Sequence, residues 1–316
     1  MSDPAPLATD HPGQVASPAP PAPGRSGRLS DRGLAVAFIS PALLLLLAMS
    51  VFPLLWALYL SFTDYQATRG GPANFVGFGN YTAILTSAQV HQRALTTLIY
   101  VVGAVGLQTV LGFAIAYLIS RRTHGRGLLT TLFLVPMMLS PVVVGLFWRF
   151  MLDAQFGVIN SMLGSVGLGQ VEWLTRQRTA LISLIVVDTW QWTPFIMLIA
   201  LAGLTAVPKY LYEAAAIDRA SEWFRFRTIT LPLVWPLLLI AVLFRSIEAF
   251  RLFDLVYILT SGGPGVSTET LSFHVYKVAF LGFNTGTASA YGILMVLVVI
   301  VLTQLYLRYL NKLKED

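Results

Sequence analysis

The chain has 316 residues, of which 56% are hydrophobic and only 11% charged, with a mean hydropathy of +0.70. Soluble domains carry about 25% charged residues, so this composition excludes an ordinary soluble protein and points to one embedded in a bilayer. Cysteine is absent, which rules out disulfides, thiolate metal sites and cysteine nucleophiles.

Residues 1–33 are rich in Pro, Ala, Gly and Ser (SPAPPAPGRSG) and nearly empty of large apolar side chains. Such a segment cannot bury enough surface to offset its ordering entropy, so a disordered cytoplasmic tail is expected. It does not read as a signal peptide: the apolar run beginning near Leu34 is too long for an h-region and should remain as an anchor. Six runs then reach the roughly 20 helical residues that a hydrocarbon core requires. They cover 34–62, 95–120, 127–152, 180–206, 231–259 and 288–310, so 34–310 reads as one all-α, six-helix transmembrane domain, with 311–316 as a tail. Pro41, Pro53, Pro136, Pro141 and Pro194 fall inside these runs, where membrane helices tolerate kinks. No internal repeat is evident.

The placement of Lys and Arg orients the chain. With the N-terminus inside, thirteen cations fall on the cytoplasmic side (Arg25, Arg28, Arg32; Arg121, Arg122, Arg126; Lys209, Arg219, Arg225, Arg227; Arg308, Lys312, Lys314). Five fall outside (Arg69, Arg93, Arg176, Arg178, Lys277) and three within the membrane. Both termini are expected in the cytoplasm. The net charge of +6 is then a topology signal and not a nucleic-acid footprint.

One compact charged stretch interrupts the apolar pattern between the fourth and fifth runs: LYEAAAIDRASEWFRFRTITLPLVWP, Leu211–Pro236. Pro208 ends the fourth run. Tyr210, Leu211, Ala214 and Ile217 then recur at i, i+1, i+4 and i+7, a narrow apolar stripe on a short helix. Trp223, Phe224 and Phe226 lie on a second piece. By periodicity alone the segment over 207–230 could lie on the lipid surface as an amphipathic helix or dock against a partner.

The spacing Glu213-Ala214-Ala215, then Arg219, then Ile229, Leu231 and Pro232 resembles the cytoplasmic loop of binding-protein-dependent ABC importer permeases. The resemblance extends through SFTDYQ…ANFVGFGNY (Ser61–Tyr81), Leu139–Asn160, Trp190–Leu204 and Phe253–Phe280, and is narrowest to the maltose- and glycerol-3-phosphate-type first permease of carbohydrate importers. It implies the type I importer permease fold in a bacterial plasma (inner) membrane. It also implies ATPase coupling through Glu213, Ala214, Ala215, Asp218, Arg219, Leu231 and Pro232. The implied partners are a second permease subunit, two copies of an ATP-binding subunit that hold ATP and Mg, and an external solute-binding protein. The family usually has glycine where this chain has Arg219; a left-handed turn there costs another residue about 1–2 kcal/mol.

This chain carries no ATPase of its own. A phosphate-cradling loop ends in Gly-Lys-Ser/Thr, and Lys209, Lys277, Lys312 and Lys314 are preceded by Pro208, Tyr276, Asn311 and Leu313. The four histidines, His11, His91, His124 and His274, are scattered without an HExxH, so neither a catalytic nor a metal site is expected and a loop histidine reads as solvated.

Charges within the membrane are costly and face a bundle interior or a wet cavity. The fifth run carries Arg245, Glu248, Arg251 and Asp254 at i, i+3 spacing; Asp188 in the fourth, and Arg149 and Asp153 near the outer end of the third, fall at a similar depth. They either pair structurally or, with Trp190, Gln191 and Trp192, line a solute path. An Asp188–arginine contact is expected, with Arg251 preferred to Arg245. An ion-coupled secondary transporter using these charges is the alternative function, and a membrane scaffold or sensor the third.

Overall fold

The computed structural model describes residues 31–69, 71–122 and 124–315. The tail expected over 1–33 therefore lies outside the described residues up to residue 30. The described elements are all helical. They run α1 (Asp31–Leu60), α2 (Gly79–Thr86), α3 (Ala88–Ser120), α4 (Arg126–Leu134), α5 (Pro141–Met151), α6 (Val158–Ser165) and α7 (Gln177–Ala206). After these come α8 (Lys209–Ile217), α9 (Glu222–Arg225), α10 (Leu231–Phe250), α11 (Asp254–Leu259), α12 (Leu271–Tyr276) and α13 (Thr285–Glu315). The chain divides into one unit ending at Pro53 and a second beginning at Leu54. α1, which runs past that division, is apolar over enough residues to cross a membrane.

Five described helices have the length and hydropathy of membrane spans, and a sixth forms if the two arms of a bent pair count as one. That pair is the expected third run. It is not one straight helix: Arg126–Met138 and Pro141–Met151 meet at 92°. Proline explains the break. Pro136 is the second residue of a short 3₁₀ turn over Val135–Met138; Leu139 after it is extended (ψ 143°), and so is Ser140 (ψ 138°), as the ring of the following Pro141 demands.

The expected fifth run also divides. α10 ends at Phe250, Arg251 caps it, and α11 starts afresh at Asp254. No glycine or proline marks this break. The turn instead lets Leu255, Val256 and Leu259 bury against α5. The last helix runs through Glu315, past the 311–316 boundary expected for a tail.

The second unit is built around α3 and α7, with α10 crossing both. Two apolar cores form along them. One gathers Tyr100, Leu184, Val187, Ala249, Leu255 and Phe273; the other gathers Ala116, Ile119, Ile196, Met197, Val234 and Leu238. Lipid tails are as apolar as these side chains, so membrane helices associate through close packing at small residues more than through water exclusion. Gly112 and Gly203 are such positions. A Cβ at Gly112 would lie 2.8 Å from Ile196 Cβ and 2.9 Å from the Met197 backbone nitrogen; one at Gly203 would lie 3.0 Å from Val234.

This packing generates a prediction. Gly112→Leu should separate α3 from α7 and lower the thermal stability of the purified protein in detergent by several degrees or abolish its accumulation. Gly106→Leu, where a Cβ meets nothing within 4 Å, should leave the melting temperature unchanged.

Candidate functional site

Between the two apolar cores lies a polar layer. Gln108 on α3, Asp188 on α7 and Arg245 on α10 are each 3% exposed or less. Arg245 Nη2 donates to Asp188 Oδ2 at 2.9 Å and Arg245 Nε to Gln108 Oε1 at 2.9 Å. Gln108 Nε2 closes the triangle by donating to Asp188 Oδ2 at 2.8 Å. The Trp192 ring lies 4.9 Å from the guanidinium carbon, so its π-face adds a second electrostatic partner.

The expected contact between Asp188 and an arginine is present, but the partner is Arg245 and not Arg251. Arg245 shares the buried face of α10 with Leu238, Ala241 and Ala249, whereas Arg251 caps the helix and is exposed. A cavity of about 120 Å³ opens beside this pair, lined by Gln191, Trp192, Glu248, Arg251 and Asp254 as well. Glu248, Arg251 and Asp254 form no ion pair among the described residues. Gln191 is buried and donates to the Leu139 carbonyl at 3.1 Å. Trp190 is not part of this group: its ring meets Trp148 at 5.6 Å and lines a separate apolar recess. Arg149 and Asp153 do not pair either. Arg149 donates to the Ile258 carbonyl, and Asp153 accepts from the Phe156 and Gln155 amides, which hold its carboxyl below the usual range.

The charged segment forms two pieces, as the sequence suggests. On α8, Leu211, Tyr212 and Ala215 face the bundle, where Leu211 and Tyr212 pack on the core containing Val234. At 100° per residue, Tyr210, Ala214 and Ile217 fall on the opposite side. Tyr210 is 65% exposed and Ile217 83% exposed, so three members of the expected stripe, Tyr210, Ala214 and Ile217, face away from the core with Glu213 flanking them, whereas the fourth, Leu211, turns inward.

After Asp218 the chain makes a Schellman turn: Ala220 N donates to Ala215 O at 2.9 Å and Arg219 N to Ala216 O at 3.1 Å. Arg219 takes the left-handed position with φ 52°. The left-handed turn expected at this position is present, with an arginine where glycine would be free of strain. Ser221 then caps α9 by accepting from Phe224 N. Leu231 and Pro232 open α10, and Tyr212 Oη shares a 2.8 Å hydrogen bond with Thr230 Oγ1 just before it. Arg121 at the end of α3 pairs with Glu222.

Sequence reasoning missed a second buried cluster. Glu269, 1% exposed, accepts from Arg93 Nε at 2.6 Å and Lys277 Nζ at 3.0 Å, and lies 2.7 Å from His274 Nδ1. Burial pushes its carboxyl upward, but the hydrogen bonds from Arg93, Lys277 and His274 outweigh that and hold it below the usual range. His274 is thus partnered and not solvated, and burial keeps its imidazole below the ordinary value. This cluster ties α3 to α12. Only the spacing Glu269–His274–Lys277 hinted at it, because Arg93 lies far away in sequence.

Two predictions follow from this geometry. Arg245→Gln strands the Asp188 carboxylate, and breaking a buried pair costs roughly 3–5 kcal/mol; accumulation and thermal stability should fall sharply, whereas Glu248→Gln, which strands no arginine, should match the wild type in both. Arg219→Gly removes the left-handed strain and should raise stability by up to about 1 kcal/mol, read as a higher melting temperature with unchanged assembly.

The model of the family described as binding-protein-dependent transport system inner membrane component matches residues 108–315. A probable ABC transporter permease protein of Sinorhizobium fredii, y4oQ, is 39% identical over 267 residues, covering 84% of this chain and 86% of its own. The trehalose/maltose transport system permease protein MalF of Thermococcus litoralis is 35% identical over 270 residues, covering 85% and 91%. A solved bacterial ABC transporter involved in the import of the acidic polysaccharide alginate has the same fold, with a TM-score of 0.78 at 22% identity over 88% of this chain and 95% of that one. The chain belongs to the family of binding-protein-dependent transport system inner membrane components and is a multi-pass permease subunit of an ABC importer.

Proposed function

We propose that this permease carries a sugar or sugar-like solute as one half of a heterodimeric translocation path. A second permease completes the path, two copies of an ATP-binding subunit drive it with ATP and Mg, and an extracytoplasmic solute-binding protein feeds it. Both termini and the segment from Lys209 to Thr230 face the cytoplasm of a bacterial inner membrane in this reading, in keeping with the bias of Lys and Arg. The sugar class rests on relatives whose names include trehalose, maltose and sulfoquinovosyl glycerol. The cavity beside Arg245 gathers Trp192, Glu248, Arg251 and Asp254 as groups that can meet hydroxyls; at about 120 Å³ it holds only part of such a solute, and a second permease would supply the rest of the site.

The observation that carries the coupling role is the outward-facing stripe of α8. A helix that keeps Leu211, Tyr212 and Ala215 against its own bundle needs no apolar surface on the other side, yet it presents Tyr210 and Ile217 there, with Glu213 and the small Ala214 beside them. Small side chains let a partner's backbone approach closely. Motion of α8 reaches α10 through the Tyr212–Thr230 hydrogen bond, and motion of α9 reaches α3 through Glu222 and Arg121. Both receiving helices contribute to the Asp188–Arg245–Gln108 layer, so a push at the segment bears on the element beside the cavity.

The ion-coupled alternative has lost its main support. Arg245 and Asp188 neutralise each other between the apolar cores, and the family match is to binding-protein-dependent importers.

Glu213→Ala and Ala214→Trp should leave insertion and assembly intact while reducing solute-stimulated ATP hydrolysis of the reconstituted complex at least about tenfold, a coupling loss of some 1.4 kcal/mol. Undiminished stimulation in both variants would remove the coupling role from this face.

A further inference from the structure

A cavity of about 460 Å³ lies on the inner side of the charged segment, between it and the ends of α3, α4 and α7. Its wall carries four cations, Arg121, Arg126, Lys209 and Arg225, against a single anion, Glu222. Glu222 is already divided between Arg121 and Arg225. Arg126 and Lys209 have no carboxylate partner among the described residues. An excess of three positive charges therefore lines one open recess, with Glu222 as its single internal counter-ion.

The depth of this space is set by the helices around it. Arg121 follows the last residue of α3, Arg126 is the first of α4, and Lys209 comes three residues after the last of α7. All three helices belong to apolar spans or span arms, so their shared ends mark the boundary between hydrocarbon and water, the level of phospholipid phosphates. The wall changes character in the same direction: Leu204 and Val207 contribute apolar surface, and Tyr117 supplies an aromatic ring. The Arg121 guanidinium is fixed 4.7 Å from the centre of that ring. A planar guanidinium held in this way presents paired N–H groups that match phosphate oxygens, and an ammonium such as Lys209 adds a point charge. Basic pockets between helix ends on one side of a membrane bind anionic headgroups on these grounds.

We propose that this cavity is a binding site for a phosphate-bearing anion, supplied either as the headgroup of an anionic phospholipid or as a soluble phosphate ester. It is separate from the cavity beside Arg245 and lies behind the outward stripe of α8. Occupancy would neutralise the excess charge and brace the inner side of the charged segment against the ends of α3 and α7.

The test uses the full chain in its assembled complex, purified in detergent. Retention of dioleoyl phosphatidylglycerol and of dioleoyl phosphatidylcholine is counted by native mass spectrometry, and binding of inorganic phosphate is followed in parallel by calorimetry. The double variant Arg126→Gln with Lys209→Gln should weaken retention of phosphatidylglycerol or binding of phosphate roughly thirtyfold, since each of the two cations near the surface contributes about a fivefold step. Phosphatidylcholine should not change. The charge-preserving pair Arg126→Lys with Lys209→Arg should retain the anion, which separates loss of a ligand from loss of fold. Phosphatidylglycerol retention that millimolar phosphate fails to displace assigns the lipid source, and displacement or direct phosphate binding assigns the soluble one. Equal binding of both anions by the wild type and the glutamine variant would overturn the site.

Discussion

Asp188 and Arg245 meet at 2.9 Å inside the bundle with an apolar core on either side. In such surroundings a charge is tolerated only when it is paired and its remaining hydrogen-bonding positions are filled. Here the filling is nearly complete. Gln108 donates to the aspartate and accepts from the arginine, and Trp192 covers the guanidinium face. The price is geometric, because the three helices that supply these groups have one register in which all the bonds close. A slide of α10 by one turn, about 5.4 Å, would leave both charges unpaired in an apolar core. Replacing a buried ion pair with packed hydrophobic residues is often neutral or stabilising. The contribution of this layer is therefore better understood as fixing register than as adding stability.

That constraint explains where small residues lie. Once the register of α3 against α7 is fixed by Gln108 and Asp188, the crossing point one turn further along must accept whatever separation the bonds impose. Gly112 is at that point, with Ile196 and Met197 pressed against its backbone. Gly203 plays the same part for α7 against α10, facing Val234. Polar bonding and close packing thus specify the same arrangement from two sides. Agreement of this kind between levels is what gives a single native state.

The sequence makes the spans legible because each is a long apolar run, and a run of that length has few alternatives in a bilayer. Breaks are legible only where proline forces them. The bend at Pro136 and Pro141 has a local cause, although the 92° angle does not follow from it. The end of α10 at Phe250 has no local marker, since Leu255 and Val256 gain burial against α5 only after the chain has turned. The partner of Asp188 was legible as a residue type and not as a position, for a similar reason. Depth along the membrane can be counted from sequence, but which arginine faces inward depends on the azimuth of α10 in the assembled bundle. Trp190 and Gln191 illustrate this at single-residue scale: neighbours separated by about 100° around a helix look to different sides, one to Trp148 and one to Leu139. Arg219 was the opposite case. A left-handed position is a property of a few consecutive residues, so a motif read from sequence could locate it, and φ 52° is found there.

The two ends of the charged segment differ in how firmly they are held, and this bears on how it can act. α8 is tied inward by apolar packing at Leu211 and Ala215 and by the Tyr212–Thr230 bond, whereas Glu222 is joined to Arg121 and Arg225 in exposed pairs. Exposed pairs contribute little and are screened by salt. A push on α8 is therefore carried into α10 as displacement of a packed element, while α9 can yield at the Schellman turn between them. The left-handed backbone at Arg219 sits at that junction, held at a cost that glycine would not incur. Stiffness on the α8 side and compliance at the turn together direct movement toward α10, the helix that carries Arg245 beside the cavity.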